Sequence, residues 1–391
     1  MNISIITLPL HTNYGGILQN YALCKVLSCN GHNVKSIKWI GKHFTLSNFR
    51  KPFVYLKRLL NKQEIGYEKR MNLEYPIISE KLYRFVQNHI PQTEETFTSE
   101  AELNTYLKNK SIEAIVYGSD QIWRKTYGKS SILNKLFTQQ KLPYLKTYFG
   151  NFLKDNTCIK QISYAASFGV DCAEYSKKEQ EEIGRLLQRF DGISVREDSG
   201  ITLINNIYKW KLPVKKVLDP TLLLSKEEYL NVITFSSTSR PDSNIYFYLL
   251  DQSSNNEILR EKIESTLKCK THSIVLNENN VSIPLEQRIL PSIEQWLRNI
   301  ADAEYVITDS FHGMVFCIIF NTPFCVLGNI KRGNARFTSL LKMIGLESRF
   351  CTTHEDVLNK ISEPINWTEV NDKLDYERNN SLSFLLKHLN K

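Results

Sequence analysis

The sequence predicts an α/β protein of two doubly wound domains, and three observations carry that prediction. β-branched and aromatic runs alternate with helix-length amphipathic segments, the beat of parallel sheets covered by helices. The chain has 391 residues, more than one ordinary core holds and fewer than three need. Its composition is globular, 42% hydrophobic and 23% charged with only 16 Gly and 12 Pro, which excludes disordered and collagenous readings.

Taken in order, Asn2 to Leu8 reads as a buried strand, His11 to Gly16 as a turn, Leu18 to Asn30 as a helix stopped at Gly31, and Asn33 to Ile40 as the next strand. That is one βαβ unit. The beat lapses from His43 to Arg70 and returns at Glu113 to Tyr117, Gln161 to Tyr164 and Gly192 to Val195, apolar runs that end in polar or small residues. A second series follows at Lys215 to Leu218, Asn244 to Leu250, His272 to Leu276, Tyr305 to Thr308 and Pro323 to Leu327. Helical patterns accompany it at Glu257 to Lys268, Ser292 to Ile300 and Phe311 to Phe320. The expected division is a first domain over 1–212, a second over 213–365, and a closing helix within 366–391 that could pack back on the first domain. The Ser-rich stretch from Thr234 to Asn244, which contains Pro241, reads as an exposed loop.

Charge and cysteine usage narrow the function classes. Fifty basic against 41 acidic residues leave +9, which suits a phosphorylated ligand, a polyanion or an anionic membrane surface and selects none of them. Nucleic acid fits poorly, because the charge is spread out and no recognition motif occurs. Eight cysteines without a CxxC pair or CxH cluster exclude zinc-finger and thioredoxin readings and give no metal site; Cys317 and Cys325 lie in apolar runs, so a reduced cytoplasmic setting is expected. The N-terminal residues show neither a basic n-region nor a small-residue cleavage site. The longest apolar run, Met314 to Phe320, falls far short of the roughly 18–20 residues that cross a bilayer.

The lapse in the beat has its own chemistry. Between 43 and 70, Arg50, Lys51, Lys57, Arg58, Lys62, Lys69 and Arg70 face only Glu64 and Glu68, interleaved with Phe, Tyr and Leu. A basic amphipathic helix of this kind can rest on the inner face of an anionic membrane. The plainer reading is a solvated helix packed by its apolar side.

Five segments could carry chemistry. In Tyr305–Phe320 a strand leads through Asp309 and Ser310 into a buried helix, so His312 and Gly313 fall at a strand-to-helix turn where free amides and the helix dipole attract an anion. His312 could hold a phosphate or transfer a proton, or be hydrogen-bonded within the cap. The run Gly192–Gly200 delivers Arg196 to the same kind of edge, where its planar fork suits a carboxylate or phosphate, unless it pairs with Glu197 or Asp198. Gly118, Ser119 and Asp120 end another strand; the acid could act as a base or bind sugar hydroxyls, or cap the next helix. Asn13, Tyr14, Gly15 and Gly16 follow the first strand without forming a GxGxxG fingerprint, which argues against a dinucleotide cofactor. Lys331, Arg332 and Arg336 would suit a phosphorylated ligand, with surface solvation the alternative for the first two.

Six segments, Asn13–Leu23 (NYGGILQNYAL), Val116–Trp123 (VYGSDQIW), Ile162–Gly169 (ISYAASFG), Ile193–Asp198 (ISVRED), Val217–Leu224 (VLDPTLLL) and Thr308–Phe316 (TDSFHGMVF), stand in an order and spacing that resembles the polysaccharide pyruvyl transferase family. The resemblance spans roughly Ile3 to Leu346 and departs at the basic 43–70 segment and at Ala335, where a serine is expected. It implies a GT-B-like pair of Rossmann-like domains, phosphoenolpyruvate as donor, and a sugar or lipid-linked glycan acceptor converted to a cyclic pyruvate ketal. It links Arg196 and His312 to catalysis and donor binding and places Ser310 and Phe311 beside the donor phosphate. Gly313 and Arg336 complete the expected donor side. Asn13, Tyr14, Gly15, Gly118 and Ser119 form the expected acceptor side, with Asp120 as a candidate base. The chemistry calls for an acid, a base and a cationic cradle, with no cofactor. Two other readings share the scaffold: a nucleotide-sugar glycosyltransferase and a non-catalytic glycan-binding protein.

Overall fold

The computed structural model describes residues 1–39, 51–60, 67–125, 145–153, 158–210, 213–234, 245–250, 254–274, 277–328 and 334–390. Strands β1 (Asn2–Ile6), β2 (Asn33–Trp39), β3 (Gln92–Phe97), β4 (Ala114–Asp120), β5 (Lys160–Ala166), β6 (Gly192–Val195) and β7 (Lys215–Lys216) build one sheet in the order β3-β2-β1-β4-β5-β6-β7. Strands β8 (Ile245–Tyr248), β9 (Thr271–Ser273), β10 (Tyr305–Thr308), β11 (Phe324–Leu327) and β12 (Phe350–Cys351) build the other in the order β12-β11-β10-β8-β9. Every pairing between them is parallel. Parallel strands are covered on both faces, which is why β4 is buried at all its positions and reads as a continuous run rather than an alternation.

Helices α1 (Tyr14–Cys29), α2 (Lys51–Leu60), α3 (Tyr67–Ile78), α4 (Glu80–His89), α5 (Glu100–Asn109), α6 (Lys177–Leu187) and α7 (Asp198–Thr202) follow or join the strands of the first sheet. Helices α8 (Lys226–Thr234), α9 (Ser254–Leu267), α10 (Ile293–Ala301), α11 (Phe311–Phe320), α12 (Ala335–Ile344) and α13 (His354–Lys360) belong to the second half of the chain, which α14 (Trp367–Leu389) closes. One large core runs from β1 and α1 through α10 and α11, so the two sheets share apolar packing. α1 and α11 are buried on nearly every side and accordingly carry no polar face.

Three expectations shift. The turn expected over His11 to Gly16 ends early: Asn13 caps α1 by accepting from the Gly16 amide (3.1 Å), so Gly15 and Gly16 lie in the first helical turn. Lys215 to Leu218 does not open the second series; β7 pairs with β6 at the edge of the first sheet. β3, read in sequence as no strand, is an edge strand whose Glu94 and Glu95 face solvent, and such charges hide an edge from pattern reading while protecting it. α14 begins at Trp367 and lies along the first sheet, with Lys160 donating to the Leu389 carbonyl (2.8 Å) and the Leu218 amide to Ser381 (2.9 Å). The loop expected over Thr234 to Asn244 lies, beyond Thr234, outside the described residues, as do 43–50, 61–66, Lys331 and Arg332.

Candidate functional site

In both sheets the chain reverses direction of growth between two neighbouring strands, β1 and β4 in one, β8 and β10 in the other, and ligands of doubly wound folds bind outside the carboxyl ends of such strands. The residues after β1, at the end of β4, after β6 and after β10 meet here. Across the first switch point Asn13 donates through Nδ2 to Asp120 Oδ2 (3.4 Å). Asp120 has φ +61° and Ala165, the residue before its β5 partner Ala166, φ +51°; a left-handed non-glycine residue costs on the order of 1–3 kcal/mol and marks a position the surroundings enforce. The Asp120 carbonyl accepts from the Ile122 and Ser167 amides (2.8 and 3.0 Å), which holds that conformation.

Arg196 is the hub. It is buried, donates through Nη1 to Asp219 Oδ2 (2.6 Å) and through Nη2 to Asp120 Oδ1 (3.3 Å), and its guanidinium carbon sits 4.4 Å from the centre of the Phe311 ring. Its Nε has no hydrogen-bond partner. The alternative pairing with Glu197 or Asp198 does not occur: Asp198 accepts from Lys216 and Ser339. Arg336 stands over the same Phe311 ring at 5.5 Å, so that ring carries two guanidiniums.

His312 reaches the cluster from the other sheet. Ser310 caps α11 by accepting from the Gly313 amide (3.2 Å), which leaves His312 outside the cap; its Nε2 lies 3.6 Å from Asp219 Oδ2, beyond hydrogen-bond distance, and is otherwise unpartnered. Gly15 makes this approach possible. A Cβ built there would stand 1.9 Å from His312 Nδ1, so the start of α1 and His312 share one space. Gly313 is packed as tightly, a Cβ there lying 2.5 Å from Thr308 Oγ1.

Asp219 carries no role in the sequence reading, although its motif is quoted there. The Asp-Pro pair signals a helix cap, and Asp219 does cap: Oδ1 accepts from the Thr221 amide and hydroxyl (3.1 and 2.7 Å). That signal hides the second use, since Oδ2 faces Arg196, His312 and the Ser119 hydroxyl (3.3 Å). Burial alone would raise the Asp219 carboxyl; His312, Arg196 and the Thr221 hydroxyl outweigh it and hold it far below the usual carboxylate range. Asp120 is likewise held down, burial being overcome by Arg196, His312 and Arg336. Glu197 goes the other way. Burial pushes its carboxyl up despite nearby Arg196, and only Oε1 is used, accepting from Ser167 Oγ (2.8 Å) and the Phe168 and Gly169 amides (2.9 and 3.3 Å).

The remaining expected residues divide. Asn13, Ser119, Asp120, Arg196, Ser310, Phe311, His312 and Arg336 gather in or beside the cluster. Tyr14 instead bridges the halves, stacking on Trp296 (5.4 Å between ring centres) and donating to the Pro291 carbonyl (2.7 Å). Gly118 lies under α1, where Leu23 fills the space of a Cβ (2.4 Å). Among the described residues no group of three or more His, Cys, Asp or Glu is arranged to hold a metal ion. Two buried guanidiniums, an imidazole and the start of α11, balanced by two ionised carboxylates, can bind an anion and move protons beside it.

Comparison with known proteins supplies a fold and a family. No curated protein matches the chain at a significant level. Among solved structures, the UDP-GlcNAc 2-epimerase of Methanocaldococcus jannaschii superposes with a TM-score of 0.51 at 12% identity over 95% of each chain. The UDP-N-acetylglucosamine 2-epimerase of Rickettsia bellii gives 0.51 at 10% over 98% of this chain and 95% of that one. At such identities the likeness shows the shared fold, two facing Rossmann-like domains in a GT-B-like arrangement. The sequence profile of the family described as polysaccharide pyruvyl transferase matches residues 13–331, a span that contains Asn13, Asp120, Arg196, Asp219 and His312. The chain therefore belongs to the polysaccharide pyruvyl transferase family, transferases that act on polysaccharide.

Proposed function

We propose that the protein transfers the pyruvyl group of phosphoenolpyruvate to two hydroxyls of one sugar in a glycan, forming a cyclic ketal and releasing inorganic phosphate. The observation that carries this reading is the buried Arg196 with an unused Nε, its guanidinium 4.4 Å from the centre of the Phe311 ring and its Nη1 on the same Asp219 oxygen that His312 approaches from the other sheet. With both Nη atoms taken by Asp219 and Asp120, the Nε is left to donate to a small anion that carries a carboxylate or phosphate.

The reaction needs a proton on the methylene carbon of the donor, which leaves positive charge at C2 for the first hydroxyl to attack. Its proton passes to a base, phosphate leaves with the C–O bond electrons and takes that proton from the base, and the second hydroxyl attacks C2 to close the ring as its own proton returns to the acid. His312, with its Nε2 3.6 Å from Asp219 Oδ2, supplies the first proton. Asp120, held ionised by Arg196, accepts the hydroxyl proton. Arg196 and Arg336 hold the donor and offset the negative charge that gathers on the departing phosphate. Asn13 and Ser119 orient Asp120 and Asp219 and so act by positioning.

Mass spectrometry of candidate glycans incubated with phosphoenolpyruvate should show the mass gain of a pyruvate ketal with an equal release of phosphate. Tight binding of UDP-GlcNAc with none of phosphoenolpyruvate would instead favour a nucleotide-sugar transferase.

A further inference from the structure

We propose that the outward faces of α2 and α3 form a docking surface for an anionic lipid bilayer. Among the described residues ten large apolar side chains are exposed, and seven of them fall between Phe53 and Tyr83. On α2, Phe53, Leu56, Leu59 and Leu60 occupy one arc of about 120° at the helical angle of about 100° per residue, and all are 58–75% exposed. A helix packed by this face would hide these four residues, and on α2 they are exposed. α3 sorts its faces the same way: Met71, Tyr75 and Ile78 are buried, while Leu73 and Ile77, one turn apart, point away from them.

Charge selects the partner. The sequence sets Lys51, Lys57 and Arg58 on α2 and Lys69 and Arg70 on α3; α3 also carries Glu68 and Glu74, of which Glu74 pairs with Arg70 and Arg288. Lys is depleted at the core of protein–protein interfaces, whereas Lys and Arg interleaved with Phe and Leu match the boundary between headgroups and acyl chains. Each basic residue near an anionic leaflet adds to the attraction. Among the described residues no helix is long and apolar enough to cross the bilayer, so the contact is with its surface. The inner face of α3 borders the cleft: Tyr75 donates to Thr12 (3.4 Å) beside Asn13, and the Ile78 carbonyl accepts from the Leu290 amide (3.0 Å). A docked bilayer would thus lie along the rim of the site.

Vesicle flotation of the full chain tests this with lipid alone. Wild type should rise with vesicles containing phosphatidylglycerol, rise less with pure phosphatidylcholine, and be released by high salt. The Leu56→Asp/Leu60→Asp and Leu73→Asp/Ile77→Asp variants should each lose at least tenfold in bound fraction with unchanged melting temperature. Wild type that stays at the bottom with both vesicles, or variants that float as well as it does, would overturn the proposal. A wild-type dimer that either variant converts to monomer would overturn it as well, since the face would then serve a second copy of the chain. Because no turnover is read, failure here leaves the pyruvyl-transfer reading intact, and the converse also holds.

Discussion

Two regions of the molecule invert the usual rule of burial in opposite senses. At the cleft, Arg196, Asp219, Asp120 and Glu197 are almost fully enclosed, where charged groups rarely sit unless paired; on α2 and α3, Phe53, Leu56, Leu60 and Leu73 stand in solvent, where contiguous large apolar groups are uncommon. The cleft meets its desolvation cost internally through ion pairs and hydrogen bonds, yet leaves the Arg196 Nε and His312 Nε2 unused. The helices leave large apolar side chains in contact with water. Both therefore carry unspent interaction, polar in one case and apolar in the other, and each points to a ligand of its own kind.

The comparison breaks first, and hardest, at Arg196. From sequence alone Arg196→Ala looks like the loss of a ligand clamp with the fold intact. Burial between Asp219 and Asp120 changes that expectation: removing one partner of a buried ion pair costs about 3–5 kcal/mol. Turnover, read as phosphate release, should fall about a hundredfold or more, and the melting temperature should drop with it. An alanine variant with wild-type rate and stability would remove Arg196 from both roles. Gly15→Ala comes next. Alanine in a helix ordinarily stabilises by up to about 1 kcal/mol over glycine, but here its Cβ meets His312 Nδ1 at 1.9 Å. Overpacking of this kind costs about 1–3 kcal/mol, and the displaced imidazole should lower kcat at least tenfold. Gly16→Ala is the control, its nearest neighbour being the Asn13 side chain at 3.2 Å, and its effect should be clearly smaller.

These residues also show what the sequence makes legible. The strands Gly192–Val195 and Tyr305–Thr308 and the helix Phe311–Phe320 come out with the bounds expected of them, because continuous apolar runs flanked by polar or glycine residues signal buried parallel elements. Arg196, Asp120 and His312 are legible as residues at strand ends, where such sheets place ligands. What joins them is not. Asp219 lies 23 residues from Arg196 and 93 from His312 in sequence, and its cap signal masks its contact with both. Gly15 reads as a turn residue because the space it vacates belongs to a helix nearly three hundred positions away. Non-local juxtaposition leaves no local pattern, and the polar alternation of the β3 edge fails for the converse reason, a strand whose outer face has no core to meet.

A finer test uses the opposite shifts of the buried carboxyls. Glu197 is raised above the ordinary value of 4.5, so its neutral form is favoured by folding; that contribution is complete below pH 4.5 and is lost as pH rises through the folded value. Asp219 and Asp120 are depressed below 3.8, so theirs is complete above that pH and is lost as pH falls. Glu197→Gln keeps an oxygen to accept from Ser167, Phe168 and Gly169 but cannot ionise. Between pH 4.5 and 8 the wild type should therefore lose melting temperature relative to Glu197→Gln, progressively as pH rises. Parallel curves across that range would mean that Glu197 has the same pKa folded and unfolded.

The smallest effect is expected where the apolar groups are outside. Leu56→Asp removes a side chain that is 58% exposed, so in free solution little buried area is lost, and surface substitutions of this sort stay within about 0.5 kcal/mol. Thermal unfolding without lipid should barely distinguish Leu56→Asp from wild type, in contrast to Arg196→Ala. Anionic vesicles should then separate the two proteins, because a ligand that binds only the folded wild type raises its stability by mass action while leaving the variant where it was. A melting temperature lowered by several degrees without lipid would show that Leu56 packs against the protein itself, and the contrast between an enclosed polar site and an outward apolar one would lose its second half.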